Sequence, residues 1–429
     1  MNHFDYDVVI VGGSFAGLTL ARHLPADLRV LVVEAKPVCG ATVESTGLIT
    51  ERTRQELATF FDIDRYITNP MRSICVLAPD FQSHFFAHTE TPWIYQTDTR
   101  AFVQALAKGV GPHVHIRTST VFHGIESETE TKEGGEIVLT IQASGQQRET
   151  IRTRILVGAD GGRSRVAQSV PSLSRNETFL FAFEAVIFGE VLLGDHPEET
   201  IYHVWFGEFS LGYGGWLSPT VQDGRPAIRI GLAKEMRDKA EVRGLLDRFI
   251  EELERHGHLK RTAGTPPAYV FGSMIPIGGT LERISHNNIL LIGDAAGFCG
   301  AFAADGIKGS VVSGKEAATL IVRRLNGESS FGALKARMET HDGLIGYYRR
   351  QRRYRLIWDL MRSDRSFWAM FRVIEKEKTH FLEQFCDSKD KRRSLAWVVL
   401  KWRHLPALAW YGVCLLMDLP KWVWAKMGK

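Results

Sequence analysis

The chain has 429 residues, of which 44% are hydrophobic and 24% charged, a composition that excludes intrinsic disorder, a collagen-like repeat and a small disulfide scaffold. Its five cysteines are scattered without a CxxC pair, which favours a reducing, cytoplasmic location and disfavours a structural metal site. The net charge of +4 conceals a basic end, because residues 322–429 hold 23 Lys and Arg against 11 Asp and Glu; we expect no nucleic-acid partner for the whole chain. A strand is predicted from Asp7, and the acidic Asp5 and Asp7 stand where a secretion signal would be basic, so no signal peptide is expected.

The first predicted strand runs into a glycine-rich turn. Residues 7–11 are typical of a strand buried on both faces, and residues 18–24 predict the helix that follows the turn. In a dinucleotide-binding turn, Gly12 would make the tight bend, Ser14 would lie where the backbone approaches a pyrophosphate, and Gly17 would allow close helix–strand packing.

The second predicted strand, residues 29–34, ends in an acid. Glu34 follows Gly12 by 22 residues, the spacing of a carboxylate that binds the adenosine ribose hydroxyls. A carboxylate here disfavours a 2′-phosphate. Strand, turn, helix, strand and acid in this order predict a dinucleotide site, which suits FAD as well as NAD.

Two later segments repeat the strand, turn and helix pattern. Residues 155–166 read ILVGADGGRSRV, and residues 288–310 contain IGDAAG followed by DGIKGS. The ordered triple, spanning residues 8 to about 320, resembles the FAD-dependent oxidoreductases of the para-hydroxybenzoate hydroxylase fold. The resemblance implies an α/β fold in which a glutathione-reductase-type FAD-binding Rossmann domain is interleaved with a mixed-sheet substrate domain and followed by a C-terminal helical region.

This resemblance divides the chain into three parts. The expected FAD-binding domain is discontinuous, the substrate domain is inserted into it, and a basic helical region follows. The respective ranges are 1–72, 96–170 and 268–325; 73–95 and 171–267; and 326–429.

The resemblance also implies roles for individual residues. Asp294 would accept hydrogen bonds from the flavin ribityl chain, and Gly306 and Ile307 would begin a helix whose amides point at the flavin ring. Asp160 would support FAD and a nicotinamide donor, with a turn-capping aspartate as the alternative; Arg100 would contact the FAD phosphates, with a surface arginine as the alternative. The predicted cofactor-binding residues are Gly12, Ser14, Phe15, Ala16, Gly17, Glu34, Ala35, Arg100, Val121, Asp160, Asp294, Gly306 and Ile307.

Within this fold, the third motif resembles the geranylgeranyl reductase branch. That branch has Gly-Asp-Ala-Ala-Gly followed by a proline and then Gly-Glu-Gly-Ile. Here Ala301 replaces the proline, Ala304 the glycine and Asp305 the glutamate. These departures bear on the substrate rather than on the flavin.

Two further features resemble the same branch. Cys39, followed by Gly40, matches a cysteine that faces the flavin in some members and is a candidate catalytic residue; the alternative is a small apolar residue packed under the cofactor. Tyr213, Trp216 and Pro219 resemble the substrate motif Tyr-x-Trp-x-Phe-Pro, with one extra residue and a serine in place of the phenylalanine. Core packing is the alternative for the two aromatic residues.

The C-terminal region combines arginines with tryptophans. Residues 349–355 contain five arginines, which either form a solvated face or bind anionic lipid or a substrate diphosphate. The stretch Trp397–Trp424 alternates tryptophans with basic residues, and its longest uncharged run, Leu405–Met417, is 13 residues. That run is too short to span a bilayer and suits its interface. We expect peripheral association with an anionic membrane surface; the alternative is a helix packed on the protein itself.

The leading functional hypothesis is an FAD-dependent oxidoreductase that reduces carbon–carbon double bonds of a polyprenyl, geranylgeranyl-type lipid by hydride transfer from reduced flavin. No second GxGxxG is present, so the electron donor would be external: NAD(P)H or reduced ferredoxin. The main alternative is an aromatic or quinone-ring monooxygenase that uses a flavin hydroperoxide. A non-catalytic prenyl-binding protein and a flavin halogenase are weaker alternatives, since the halogenase glycine loop and lysine have no clear match.

Overall fold

The computed structural model describes residues 4–42, 45–129, 135–204, 212–235, 242–385 and 401–427. Trp397, which the sequence assigns to the tryptophan-rich stretch, lies outside these residues. The strands, in chain order, are β1 (Tyr6–Val11), β2 (Val30–Val33), β3 (Leu48–Thr50), β4 (Ile67–Met71), β5 (Ser73–Leu77), β6 (His84–His88), β7 (Ile94–Thr97), β8 (Val114–Arg117), β9 (Thr120–Thr129), β10 (Glu136–Ala143), β11 (Arg148–Gly158), β12 (Phe179–Val191), β13 (Thr200–Val204), β14 (Gly212–Gln222), β15 (Arg225–Glu235), β16 (Leu259–Arg261), β17 (Tyr269–Pro276), β18 (Ser285–His286) and β19 (Ile289–Leu291).

The helices follow the same numbering. They are α1 (Phe15–His23), α2 (Glu51–Ala58), α3 (Thr99–Lys108), α4 (Arg165–Ser169), α5 (Val242–Arg255), α6 (Ile307–Leu325), α7 (Leu334–Asp342), α8 (Leu344–Leu360), α9 (Asp364–Glu375), α10 (Lys378–Phe385) and α11 (Leu405–Met427).

The first sheet carries the three glycine-rich motifs. Its order is β18–β19–β11–β1–β2–β8, and β19, β11, β1, β2 and β8 run parallel. Each of the apolar runs Val8–Val11 and Val30–Val33 is buried, as strands covered on both faces require. β9, β10 and β11 form an antiparallel meander beside it. All three glycine motifs therefore lie at the carboxyl ends of adjacent parallel strands, where ligands bind in such sheets.

The second sheet stands over those motifs. Its order is β16–β12–β15–β14–β13–β5–β6, with β17 also paired to β12, and α5 covers its outer face. β17 extends this sheet to Pro276, beyond the boundary expected at residue 267. The α/β fold class, with two interleaved sheets and a C-terminal helical region, is confirmed, whereas the finer domain division stays a prediction.

The C-terminal helices pack on the second sheet and on one another. Phe371 of α9 and Phe381 of α10 contact Phe85 of β6.

The last helix, α11, is attached through a buried aspartate. The carboxylate of Asp418 accepts hydrogen bonds from the Arg362 backbone N–H and from the hydroxyls of Ser363 and Ser366, at 2.7, 3.0 and 2.7 Å. One face of α11 is thereby fixed to the start of α9. Within the described part of the chain, no helix is both long and apolar enough to cross a bilayer.

Candidate active site

A cavity of about 840 Å³ lies between the two sheets and reaches the C-terminal helices. One end is lined by the three glycine motifs, and the other by aromatic and aliphatic side chains of β13, β14, β17 and α8–α11. This volume and this mixture of a few polar groups with many apolar ones are typical of a small-molecule site.

The first end is built on the turn between β1 and α1. Gly12 has φ of +109°, and a Cβ there would lie 2.3 Å from the Ala159 carbonyl oxygen, so only glycine fits. A Cβ on Gly17 would lie 2.0 Å from the Gly12 carbonyl oxygen, which makes the close packing of α1 on β1 dependent on glycine too. Ser14 begins α1 without a side-chain cap, so the first amides of α1 remain available for an anion beside the cavity.

Glu34 lies next to this turn and is only 8% exposed. One of its carboxylate oxygens accepts a hydrogen bond from the Gly13 N–H at 2.7 Å, and the other accepts one from the Lys36 N–H at 2.8 Å. Each oxygen retains a lone pair, and Glu34 and Ala35 line the cavity. The carboxylate is therefore held by the backbone in a position to accept hydroxyl groups.

Two aspartates mark the middle of the cavity. Burial raises the pKa of Asp294 to about 6, and its Oδ1 has no hydrogen-bond partner among the described residues. Asp160 accepts from the N–H groups of Arg165 and Val166 through Oδ2, at 2.6 and 3.2 Å, while its buried Oδ1 also lacks a described partner. Burial raises the pKa of Asp160 as well. An unsatisfied buried acceptor costs about 1–3 kcal/mol, so both oxygens fit a ligand that brings hydroxyl or N–H donors.

The N-terminus of α6 faces the same region. A Cβ on Gly306 would lie 2.7 Å from Asp294 Oδ1, and Gly306 and Ile307 both line the cavity. Gly306 has no side chain to cap the helix, so its first amides are open to a ligand. By contrast, α3 starts with Asp98, whose carboxylate accepts from the Ala101 N–H at 3.0 Å. The two uncapped helix starts and the orphaned carboxylate oxygens fit the phosphates, ribityl hydroxyls and ring of FAD.

Val121 also lines the cavity, whereas Cys39 and Arg100, like Gly17, do not. Cys39 is buried against Gly13, and burial together with the Glu34 carboxylate raises the pKa of its thiol to about 11. Arg100 is exposed on α3 and is outside the lining. The catalytic role of Cys39 and the phosphate contact of Arg100 stay predictions, and the thiol's surroundings favour packing.

The predicted substrate motif lies on β14. Tyr213 and Trp216 line the cavity; Tyr213 donates its hydroxyl to the Ala303 carbonyl oxygen at 3.1 Å, beside the start of α6. Pro219 lies further along β14 and is outside the lining. The two aromatic residues therefore connect the second sheet to the end of the cavity that holds the glycine motifs.

A buried ion pair beneath Trp216 is not apparent from the sequence. Arg229 of β15 donates two hydrogen bonds to Glu184 Oε1 of β12, at 2.9 and 2.7 Å, and a third to the Ser45 carbonyl oxygen at 3.2 Å. Trp216 Nε1 donates to Glu184 Oε2 at 2.9 Å. The sequence offers one signal for this pair: Glu184 and Arg229 are each flanked by apolar residues within a predicted strand.

The C-terminal region forms much of the wall at the apolar end of the cavity. Tyr347 donates its hydroxyl to Asp305 at 2.6 Å, and Gln351 accepts from the Ala303 N–H at 2.8 Å, so α8 holds the loop that precedes α6. Side chains of four helices complete this wall: Tyr354, Trp358, Met370, Phe381, Leu408 and Tyr411.

Comparison with known families decides the class of this site. A family model described as an FAD binding domain matches residues 5–340. The chain belongs to the FAD binding domain family. Its cofactor is FAD, and it is an FAD-dependent oxidoreductase; the cradle described above fits that cofactor.

Individual relatives of this FAD binding domain protein agree with the motif-based resemblance. A digeranylgeranylglycerophospholipid reductase of Thermoplasma volcanium is 24% identical over 333 residues, covering 73% of this chain and 77% of the relative. A solved geranylgeranyl bacteriochlorophyll reductase-like protein from Thermoplasma acidophilum has a TM-score of 0.71 at 17% identity and covers 97% of this chain and 99% of its own. The p-nitrophenol 4-monooxygenase of Pseudomonas putida has a TM-score of 0.65 at 16% identity, covering 92% of this chain and 100% of its own. The predicted resemblance to geranylgeranyl reductases is thus confirmed, and the structural likenesses establish the shared fold.

Proposed function

We propose that the protein reduces carbon–carbon double bonds in the chain of a polyprenyl, geranylgeranyl-type lipid. The observation that carries the proposal is the continuity of the cavity, which runs from the FAD cradle into a pocket walled by Trp216, Phe271 and the aromatic side chains of α8–α11. A branched, unsaturated hydrocarbon chain matches such a wall, because its burial there removes apolar surface from water. The name of the Thermoplasma volcanium relative, a reductase of an isoprenoid lipid, points the same way.

The chain's own residues would bind, orient and desolvate the substrate. When bound, reduced FAD supplies the hydride, and water or an adjacent acid supplies the proton. Tyr213 and Trp216 lie between the FAD cradle and the apolar pocket. There they would determine how far the alkene enters towards the cofactor. The aromatic wall would keep bulk water away from the reduced cofactor.

The electron donor is external in this proposal, either NAD(P)H or reduced ferredoxin. Asp160 would support the approach of a nicotinamide, and the exposed Arg163 beside it lines the cavity. We also propose an anionic membrane surface as the partner of the basic C-terminal region, in keeping with a lipid substrate and a peripheral location.

The test is product analysis after anaerobic incubation of the FAD-loaded protein with a geranylgeranyl lipid and a chemical reductant. A mass gain of two hydrogen atoms for each reduced bond supports the proposal. Product that forms only with O₂ and contains an added oxygen atom would support the monooxygenase alternative instead. A variant with Trp216→Ala should retain FAD and lose turnover, which separates a failed substrate site from a failed cofactor site.

A further inference from the structure

The apolar end of the cavity reaches the surface between α8 and α11. Ile357 of α8 is 48% exposed and at the same time lines the cavity. Leu408 and Tyr411, on the facing side of α11, line it as well. A side chain that belongs to both the cavity wall and the solvent-exposed surface marks a mouth, and this mouth is at the opposite end from the FAD cradle.

The outer half of α11 beside this mouth is apolar. Tyr411, Cys414 and Asp418 face inward, so the residues half a turn away face solvent. Large exposed side chains on that outer half are Leu405, Trp410, Val413, Leu416, Met417, Val423 and Trp424. Within Leu405–Trp424, the exposed charged side chain is Lys421. A continuous apolar stripe of this length on a surface helix marks a docking surface.

The outer face of α8 adds positive charge next to the same mouth. Arg349, Arg350, Arg352 and Arg353 are exposed, and none forms an ion pair with a residue that the structure describes. The last two lie one helical turn before the exposed Leu356 and Ile357, so arginines border the apolar mouth on the same helix face.

We infer that this surface, the outer faces of α8 and α11, docks on an anionic phospholipid bilayer and that the mouth at Ile357 admits the isoprenoid chain directly from it. Tryptophans with apolar side chains on one helix face suit the headgroup region of a bilayer, and unpaired arginines suit its phosphates. Entry from the bilayer spares the hydrocarbon chain any exposure to water. The inference rests on the proposed function for its substrate, whereas the docking itself is measured without turnover.

The experiment uses the FAD-loaded full chain and sedimentation with vesicles of phosphatidylcholine alone or mixed with phosphatidylglycerol. Leu416→Glu places a charge in the apolar stripe, and Val221→Glu is the matched control, since the two side chains are 69% and 70% exposed and Val221 lies on β14 away from the mouth. We expect Leu416→Glu to lower the affinity for mixed vesicles about tenfold and Val221→Glu to leave it unchanged. Arg349→Gln with Arg353→Gln should lower it by about the same factor and reduce the preference for anionic vesicles.

Turnover separates the inference from the proposed function. Leu416→Glu should slow reduction of vesicle-embedded lipid and leave reduction of detergent-dispersed lipid unchanged. Failure of every variant and wild type to reduce dispersed lipid would defeat the proposed function while leaving the vesicle result standing. Equal vesicle binding by wild type and Leu416→Glu would overturn the inference. So would a wild-type protein that ignores vesicles and forms a dimer that Leu416→Glu dissociates, because the stripe would then face a second copy.

Discussion

The two ends of the cavity are built in different ways. The FAD end uses backbone: glycines at tight turns, uncapped helix starts and carboxylates held by N–H groups. The substrate end uses side chains that three distant parts of the chain contribute, β13–β17, α8–α10 and α11. The FAD end should therefore tolerate almost no change in backbone conformation. The substrate end can change its shape, and hence its substrate, by substitution of side chains.

The largest expected effect is at the backbone end. Gly12→Ala should abolish FAD retention and destabilise the fold, since its Cβ would meet the Ala159 carbonyl oxygen. Gly145→Ala is the matched control: its φ of +74° is also unfavourable for alanine, yet nothing lies within 4 Å of the added Cβ. We expect the control to lose about 1–2 kcal/mol of unfolding free energy and to retain its flavin. A Gly12→Ala protein that keeps FAD through dialysis would show that this turn does not require glycine to bind the cofactor.

The second largest effect is expected at the buried Glu184–Arg229 ion pair, which would make one part of the substrate end rigid. Arg229→Leu leaves the buried Glu184 carboxylate without its cation, and we expect a loss of about 3–5 kcal/mol of unfolding free energy. Arg225→Leu on the same strand removes an exposed arginine and should cost less than about 1 kcal/mol. The measurement is chemical denaturation of both variants. Equal losses would show that the Glu184–Arg229 pair contributes nothing special to this wall.

The third effect tests the predicted role of Glu34 in FAD binding. Glu34→Ala removes the carboxylate that we expect to accept the ribose hydroxyls, and it releases the N–H groups of Gly13 and Lys36. Loss of about 1.5–3 kcal/mol of binding free energy should weaken the affinity for FAD about tenfold or more and so lower the flavin occupancy after dialysis. The ratio of flavin to protein absorbance after dialysis measures it, and Glu34→Gln, which keeps the shape, should lose less. A ratio equal to that of wild type would contradict the assignment.

The smallest expected effect is at Cys39, which lies beside the FAD end without lining the cavity. Its raised pKa, about 11, keeps the thiol protonated at neutral pH, so a thiolate role is disfavoured. We expect Cys39→Ala to cost about 1 kcal/mol in stability and to leave turnover within about twofold of wild type. A large loss of turnover in both Cys39→Ala and Cys39→Ser with FAD still bound would identify a catalytic thiol after all.

The sequence predicts the turn after β1 well because this part of the FAD end is local. Gly12, Gly17 and Glu34 lie within one strand–helix–strand unit, so their spacing alone indicates what they surround. The apolar wall could not be predicted in this way. Tyr347 meets Asp305, and Glu184 meets Arg229, through packing between separate elements that no local spacing encodes. The resemblance and the pattern after residue 326 predict a helical C-terminal region, whereas its contribution to the cavity follows only from where α8–α11 pack.

The most direct test of the account is an anaerobic single turnover, in which the bound FAD is first reduced and a polyprenyl lipid is then added. We predict that the visible absorbance of oxidised flavin returns when the lipid is unsaturated and stays absent when the lipid is the fully saturated analogue. Trp216→Ala should slow the return. If the unsaturated lipid fails to restore that absorbance while O₂ restores it at once, the continuous cavity does not join the cofactor to a reducible chain, and the central claim is contradicted.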